Sequence, residues 1–298
     1  MALIEICAVV VFYRHKIAES DSLAMLTELA GSDNSGCRLS KIIAYDNSPD
    51  FQPPPSGPRG YEYVGDPANG GVGQAYNHAL RVAKQAGCHW LLLLDQDTHV
   101  DGPFWAKTVK ALSQAAVDDE VAAVVPRVRD GTRMVSPTRI YLGDIQRPVP
   151  AELSGVCPFE AAAIGSGVLI RVRFLEEVGG FDPKYWLDAA DRKLFAQIWQ
   201  RRRKVYVSDA VLDHELSIFD FDNRVSEDRY RDILKYEWMF QKECKQRRDH
   251  WVLLPRLLFR SAKLLIAARN KQYATITFRH FFTVLSVCLR GTGEVRVP

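Results

Sequence analysis

The stretch Leu91-Leu92-Leu93-Leu94-Asp95-Gln96-Asp97 follows Trp90 and joins four consecutive apolar residues to two carboxylates one residue apart. An uninterrupted apolar run of this kind reads as a strand buried on both faces of a parallel sheet. In open α/β sheets, ligands gather beyond the carboxyl ends of the strands, so Asp95 and Asp97 fall at the mouth of a site. Carboxylate oxygens suit Mg²⁺ or Mn²⁺, and such metals share their coordination with substrate phosphates. The competing reading is a capped turn, with Asp97 or Thr98 opening a helix ahead of Pro103.

Upstream, residues 6–13 (ICAVVVFY) and 41–45 (KIIAY) are apolar and predict two more strands. Leu23, Leu26 and Leu29 predict a helix over 18–30 between them. The second strand runs into Asp46-Asn47-Ser48-Pro49, a turn. An acid at that point receives a ribose hydroxyl or a base edge in nucleotide-binding sheets, and an Asx-turn explains it as well. A proline-rich loop over 49–60 and a short strand at 61–64 lead to Asn69-Gly70-Gly71-Val72-Gly73 and a helix over 74–85. Glycines opening a helix let backbone N–H groups approach an anion. No Gly-Lys-Ser/Thr follows, and Tyr76 stands where a third glycine would complete a dinucleotide fingerprint. A plain glycine turn is the simpler reading, and Asn77 is either a buried ligand contact or a cap.

Downstream, a helix is predicted over 103–116 and a strand over 121–125, which extends the alternation expected of a doubly wound, mostly parallel α/β sheet with helices on both faces. Residues 127–158 read as a long connection carrying an edge hairpin. Gly165-Ser166-Gly167 precedes a strand at 168–170, where small residues allow close approach of backbone or substrate. A turn at 179–183 leads to a helix starting near Trp186, with Asp188 and Asp191 on one face of its first turn. A helix N-terminus stabilises a carboxylate anion, so Asp191 is expected to be a weakened base, and both acids also read as helix caps. A short strand over 205–207 precedes His214, which alone reads as a plain polar contact.

The 298 residues allow a sheet domain over 1–225 and a helical extension over 226–298. A net charge of +3 argues against a nucleic-acid partner. The charge is uneven, with twelve Lys/Arg against four Asp/Glu from Tyr236 onward. Basic amphipathic helices with aromatics over 251–289 read as a peripheral membrane contact, or as a packing face for the sheet domain or for a second subunit in a homodimer. Six scattered cysteines without a C-x-x-C pair fit free thiols in a reducing compartment. No signal peptide or membrane-spanning run is evident, so the expected location is cytoplasmic, peripheral to the inner face of the cytoplasmic membrane.

The ordered set VVVFY (9–13), IIAYDNS (42–48), NGGVGQAYNHAL (69–80), LLLLDQDT (91–98), IGSGVLI (164–170), GGFDPKYWLDAAD (179–191) and VLDHELS (211–217) resembles the family-2 glycosyltransferases with a GT-A fold, and most of all their bacterial rhamnosyltransferase branch. The resemblance covers residues 4–220. It implies an inverting, metal-dependent transferase that moves a sugar from dTDP-L-rhamnose, with a UDP-sugar as the alternative donor, to a hydroxyl of a surface-polysaccharide or lipid-linked saccharide acceptor. The donor would be met by Tyr13, Asp46, Asn69, Gly70, Gly71, Asn77, Asp95 and Gln96. The resemblance makes Asp97 the direct metal ligand with Asp95 and His214 beside it, Asp191 the catalytic base with Asp188 flanking it, and Trp186 and Ser166 acceptor contacts. Lys193 and Gln197 stand where the family has an acid and then an arginine. The rival classes are a nicotinamide-binding enzyme built on the Gly70–Gly73 turn and an inactive membrane scaffold.

Overall fold

The computed structural model describes residues 3–30, 33–34, 36–50, 52, 57–213 and 225–290. The strand Trp90–Asp95 lies inside a ten-stranded sheet, counted among the described residues. Ile4–Phe12 pairs with it in parallel, and Val168–Arg171 pairs antiparallel on its other side. Cys37–Asp46 and Tyr61–Gly65 continue the sheet in parallel beyond Ile4–Phe12. On the far side, Val121–Asp130 pairs antiparallel with Val168–Arg171 and parallel with Lys204–Asp213. Parallel neighbours need a crossover. The helices Asp21–Leu29 and Gly71–Gln85 provide it on either side of Cys37–Asp46 and Tyr61–Gly65. The α/β fold with a mixed sheet and C-terminal helices is therefore observed.

Leu91, Leu92 and Leu94 are wholly buried, so the central strand offers no face to solvent. Leu92 and Leu94 share a core with Phe104, Trp105, Val109 and Leu112 of the helix Gly102–Ala115. Asp101 caps that helix by accepting from the Phe104 N–H at 2.7 Å. The helix cap is thus Asp101, and neither Asp97 nor Thr98 takes that role.

Two strands run well past their expected ends. Val121–Asp130 runs five residues past 125 and returns through Gly131 as Arg133–Ser136, forming the edge hairpin. Lys204–Asp213 likewise outlasts 205–207, and Arg129 donates two hydrogen bonds to Asp213, at 2.7 and 2.8 Å, across the strands.

The chain forms two compact units, Met1–Arg139 with Arg147–His214, and Ile140–Gln146 with Glu215–Pro298. The segment Ile140–Gln146 thus groups with the helices rather than with the sheet. The second unit holds helices Glu227–Cys244, Arg247–Ala267 and Gln272–Arg290 around Tyr230, Leu234, Trp238, Leu253 and Val284. Gln246 and Asp249 form a capping box at the start of its second helix, and Asp249 also accepts from the Gly143 N–H at 2.7 Å. All six cysteines are free thiols.

Candidate active site

The strand register places the acids along one sheet edge. Phe12 pairs with Asp46, Val11 with Asp95, and Asp46 with Gly65, the residue before Asp66. Asp46, Asp66 and Asp95 therefore end neighbouring strands. The Asp95 N–H reaches the hydroxyls of Thr98 at 3.2 Å and Ser166 at 3.4 Å, and those two hydroxyls also bond each other. Gln96 accepts from the Tyr13 N–H at 2.7 Å and so ties the first strand to the acidic turn. The Tyr13 ring is exposed, and so is Asp97.

Asp191 approaches from the other side of the same cleft. The helix bearing it, Ala190–Gln200, starts four residues later than expected, because Ala189 takes a left-handed conformation with φ 61°. Asp188 therefore precedes the helix and shares no first turn with Asp191. Asp95, Asp191 and Tyr76 line one cavity of about 130 Å³ whose remaining walls are largely apolar, among them Val72, Ile164, Phe181, Leu187 and Phe195. Burial, with the nearby charges of Asp95 and Asp188, pushes the Asp191 carboxyl up to about 6. It accepts from the Arg192 N–H at 2.6 Å and from the Gly165 backbone, which oppose that shift without cancelling it. The expectation of a base weakened by its helix N-terminus is thus overturned. Desolvation outweighs one turn of oriented N–H groups.

Tyr76 is a site residue that sequence reading missed. Its ring packs on Phe181 at 4.9 Å, and burial together with the charges of Asp95 and Asp191 raises its hydroxyl well above the ordinary phenol value. Its only sequence signal was a bulky polar aromatic in a glycine-rich helix start.

The glycine segment is organised differently from a phosphate cradle. The Gly70 N–H donates to Asp66 at 2.9 Å, and the Val72 N–H donates to the Trp186 carbonyl at 2.9 Å. The Trp186 indole N–H donates to the Asn69 carbonyl at 2.7 Å. These N–H groups are already partnered, so the segment works as a socket for Trp186. Asp66, a second missed residue, also accepts from Tyr45 and Gln74. Trp186 is half-buried in this clasp, and its indole N–H faces Asn69 rather than an acceptor.

Three further candidates have structural partners. Asn77 donates to the Phe181 carbonyl and accepts from the Phe181 N–H, both at 2.8 Å, and so holds the turn before Asp191. Both ends of its amide are engaged, which corrects its reading as a donor contact. Ser166 is fully buried beneath the Asp95 turn and presents no surface to an acceptor. Asp46 accepts from the Ser48 N–H at 2.9 Å, from Gln52 at 3.0 Å and from Tyr63 at 3.1 Å. This is the Asx-turn reading, reinforced by two side chains. His214 lies outside the described residues.

Among the described residues, no group of three or more His, Cys, Asp or Glu side chains is arranged to hold a metal ion. Asp95 and Asp97 still fit a Mg²⁺ or Mn²⁺ ion of the kind that takes one or two protein carboxylates and completes its shell with substrate phosphates and water. Asp95 lines the cleft, Asp97 is exposed on the turn that follows it, and the oxygen donor set suits a hard cation.

No family model matches the chain, and no curated protein matches it. Solved structures do. S. aureus TarS superimposes with a TM-score of 0.53 at 12% identity, over 98% of this chain and 50% of TarS. The chain thus spans about half the length of that protein. TarS 1-349 in complex with UDP aligns at 12% identity with a TM-score of 0.46, over 98% of this chain and 93% of the other. TarS 1-349 in complex with UDP-GlcNAc aligns at 12% identity with a TM-score of 0.44, over 94% and 72%. At these identities the likeness is one of fold, and the fold is the GT-A type of α/β sheet.

Proposed function

We propose that this chain is a metal-dependent, inverting glycosyltransferase that moves a sugar from a nucleoside-diphosphate donor to a saccharide hydroxyl, with residues 1–225 as its catalytic domain. The observation that carries this reading is that Asp95 and Asp191, from separate elements, line one cavity together with Tyr76.

Transfer breaks the bond between the anomeric carbon and the diphosphate while an acceptor hydroxyl attacks from the opposite face. One carboxylate must take the hydroxyl proton. Asp191 suits that task, since a carboxyl raised to about 6 is ionised at neutral pH yet more basic than an ordinary aspartate. Asp188 flanks it and is the alternate base. Gly165 and Arg192 orient the Asp191 carboxylate through their backbone N–H groups. Asp95 and Asp97, with His214, are the residues that would hold Mg²⁺ or Mn²⁺. When bound, such an ion would offset the charge that develops on the diphosphate leaving group. Trp186 clasps the Asn69–Val72 segment and Asn77 holds the turn at Phe181, so both position the cleft walls.

The resemblance in sequence points to dTDP-L-rhamnose as donor and to a surface-polysaccharide or lipid-linked saccharide as acceptor. The TarS complexes make UDP and UDP-GlcNAc the first alternatives to test. A thermal-shift comparison of dTDP, UDP, GDP, CDP and NAD, each with and without Mn²⁺, separates these donors, since a ligand that binds the native state raises its melting temperature. Metal-dependent stabilisation by dTDP or UDP supports the transferase and names its base. Stabilisation by NAD alone overturns it in favour of a nicotinamide enzyme.

A further inference from the structure

The helix Arg247–Ala267 is apolar on two opposite faces. One face, Leu253, Leu254, Leu257 and Leu264, is buried in the helical core. The other carries Trp251, Leu258, Phe259, Leu265 and Ile266, all exposed, with Phe259 at 75% and Ile266 at 84%. At 3.6 residues per turn these five fall on a single stripe along the helix. Phe278 and Phe282 on the helix Gln272–Arg290 are exposed as well.

The segment 247–290 that carries these residues has exposed charges of one sign. Lys263, Arg269, Lys271 and Arg279 are exposed, whereas Asp249 is the only carboxylate between Arg247 and Arg290. Asp249 is buried and bonded to the N–H groups of Gly143 and Gln246. Arg256 and Arg260 are turned inward onto Glu237. No helix among the described residues is long and apolar enough to cross a membrane. A bare apolar stripe on a segment whose exposed charges are all cationic matches a surface that is apolar within and anionic at its rim. A second copy would bring the same cations face to face, which like-charge repulsion opposes.

We infer that the stripe Trp251, Leu258, Phe259, Leu265 and Ile266 docks the chain in the interfacial layer of an anionic lipid bilayer. The inference is independent of the sugar-transfer reading, because its test needs no nucleotide. The full chain is floated with phosphatidylcholine vesicles that either contain or lack phosphatidylglycerol. Expected results are binding to the anionic vesicles alone, weakening with added salt, and at least a tenfold loss in F259S/I266S with its melting temperature unchanged. Vesicles with brominated acyl chains should quench tryptophan fluorescence in the parent chain and much less in Trp251→Phe, which keeps the test independent of the double variant. Failure to bind anionic vesicles overturns the inference, as does binding that ignores these substitutions. A dimer that F259S/I266S converts to a monomer overturns it too, by assigning the stripe to a second copy.

Discussion

Trp186 and Gly71 are in such close contact that only a glycine fits. A β-carbon on Gly71 would overlap the Trp186 carbonyl oxygen, and Gly71 has a φ of 82° that side-chain-bearing residues avoid. Gly71→Ala should therefore cost about 2–4 kcal/mol, from overlap and backbone strain together. Gly87 has a φ of 70° with open space around it, so Gly87→Ala should cost only about 1 kcal/mol. Denaturant midpoints of the two variants check this, and equal losses would remove the clasp from the account.

Asp191→Asn should abolish transfer while leaving nucleotide binding nearly intact. In the parent chain, turnover should fall about tenfold per pH unit below about 6, following the Asp191 carboxyl. A pH–rate profile flat from 5 to 8 would take Asp191 out of the base role and leave Asp188 as candidate.

The same shift has a consequence for stability. A carboxyl raised on folding is protonated in both states at low pH, where its contribution is fully present. That contribution is lost as pH rises from the ordinary carboxylate pKa of about 4 through the folded value of about 6. Asp191→Asn should thus raise the melting temperature at pH 8 by a few degrees, for about 1–2 kcal/mol, and leave it unchanged at pH 4.

Tyr76→Phe keeps the ring on Phe181 and removes the hydroxyl that faces Asp95 and Asp191. A tenfold or larger loss in kcat with little change in melting temperature is expected, of the order seen when a positioned polar group is removed. Unchanged kcat would reduce Tyr76 to packing.

Asp97→Ala should abolish the Mn²⁺ dependence of donor binding, and chelation of the parent chain should do the same. Titration of nucleotide with and without Mn²⁺ distinguishes this from a general loss of affinity.

In the helical unit, Glu237 takes two hydrogen bonds from Arg260, at 2.8 and 3.1 Å. Glu237→Ala removes the carboxylate partner of a partly buried guanidinium and should cost about 1–3 kcal/mol. Chemical denaturation of the full chain reads that loss directly.

The strands expected at 6–13, 41–45 and 91–94 were legible because each is an apolar run that ends in turn residues, and burial on both faces writes itself into consecutive positions. The placement of Asp46 and Asp95 at one sheet edge follows from that pattern, since strands of a parallel sheet end on the same side. The partners of the acids were not legible. Asp191 lies ninety-six residues after Asp95, and its distance from Asp95 depends on how an antiparallel strand and a left-handed Ala189 redirect the chain. Its raised pKa is a property of the cavity those two residues close, so helix position alone pointed the other way. Asn77, Ser166 and Trp186 carry polar groups suited to a ligand, and only the tertiary structure shows those groups already bonded to Phe181, to Thr98 and the Asp95 N–H, and to Asn69. Local sequence encodes which segments are buried. Which polar groups are left to meet a substrate is decided by the long-range contacts that satisfy the rest.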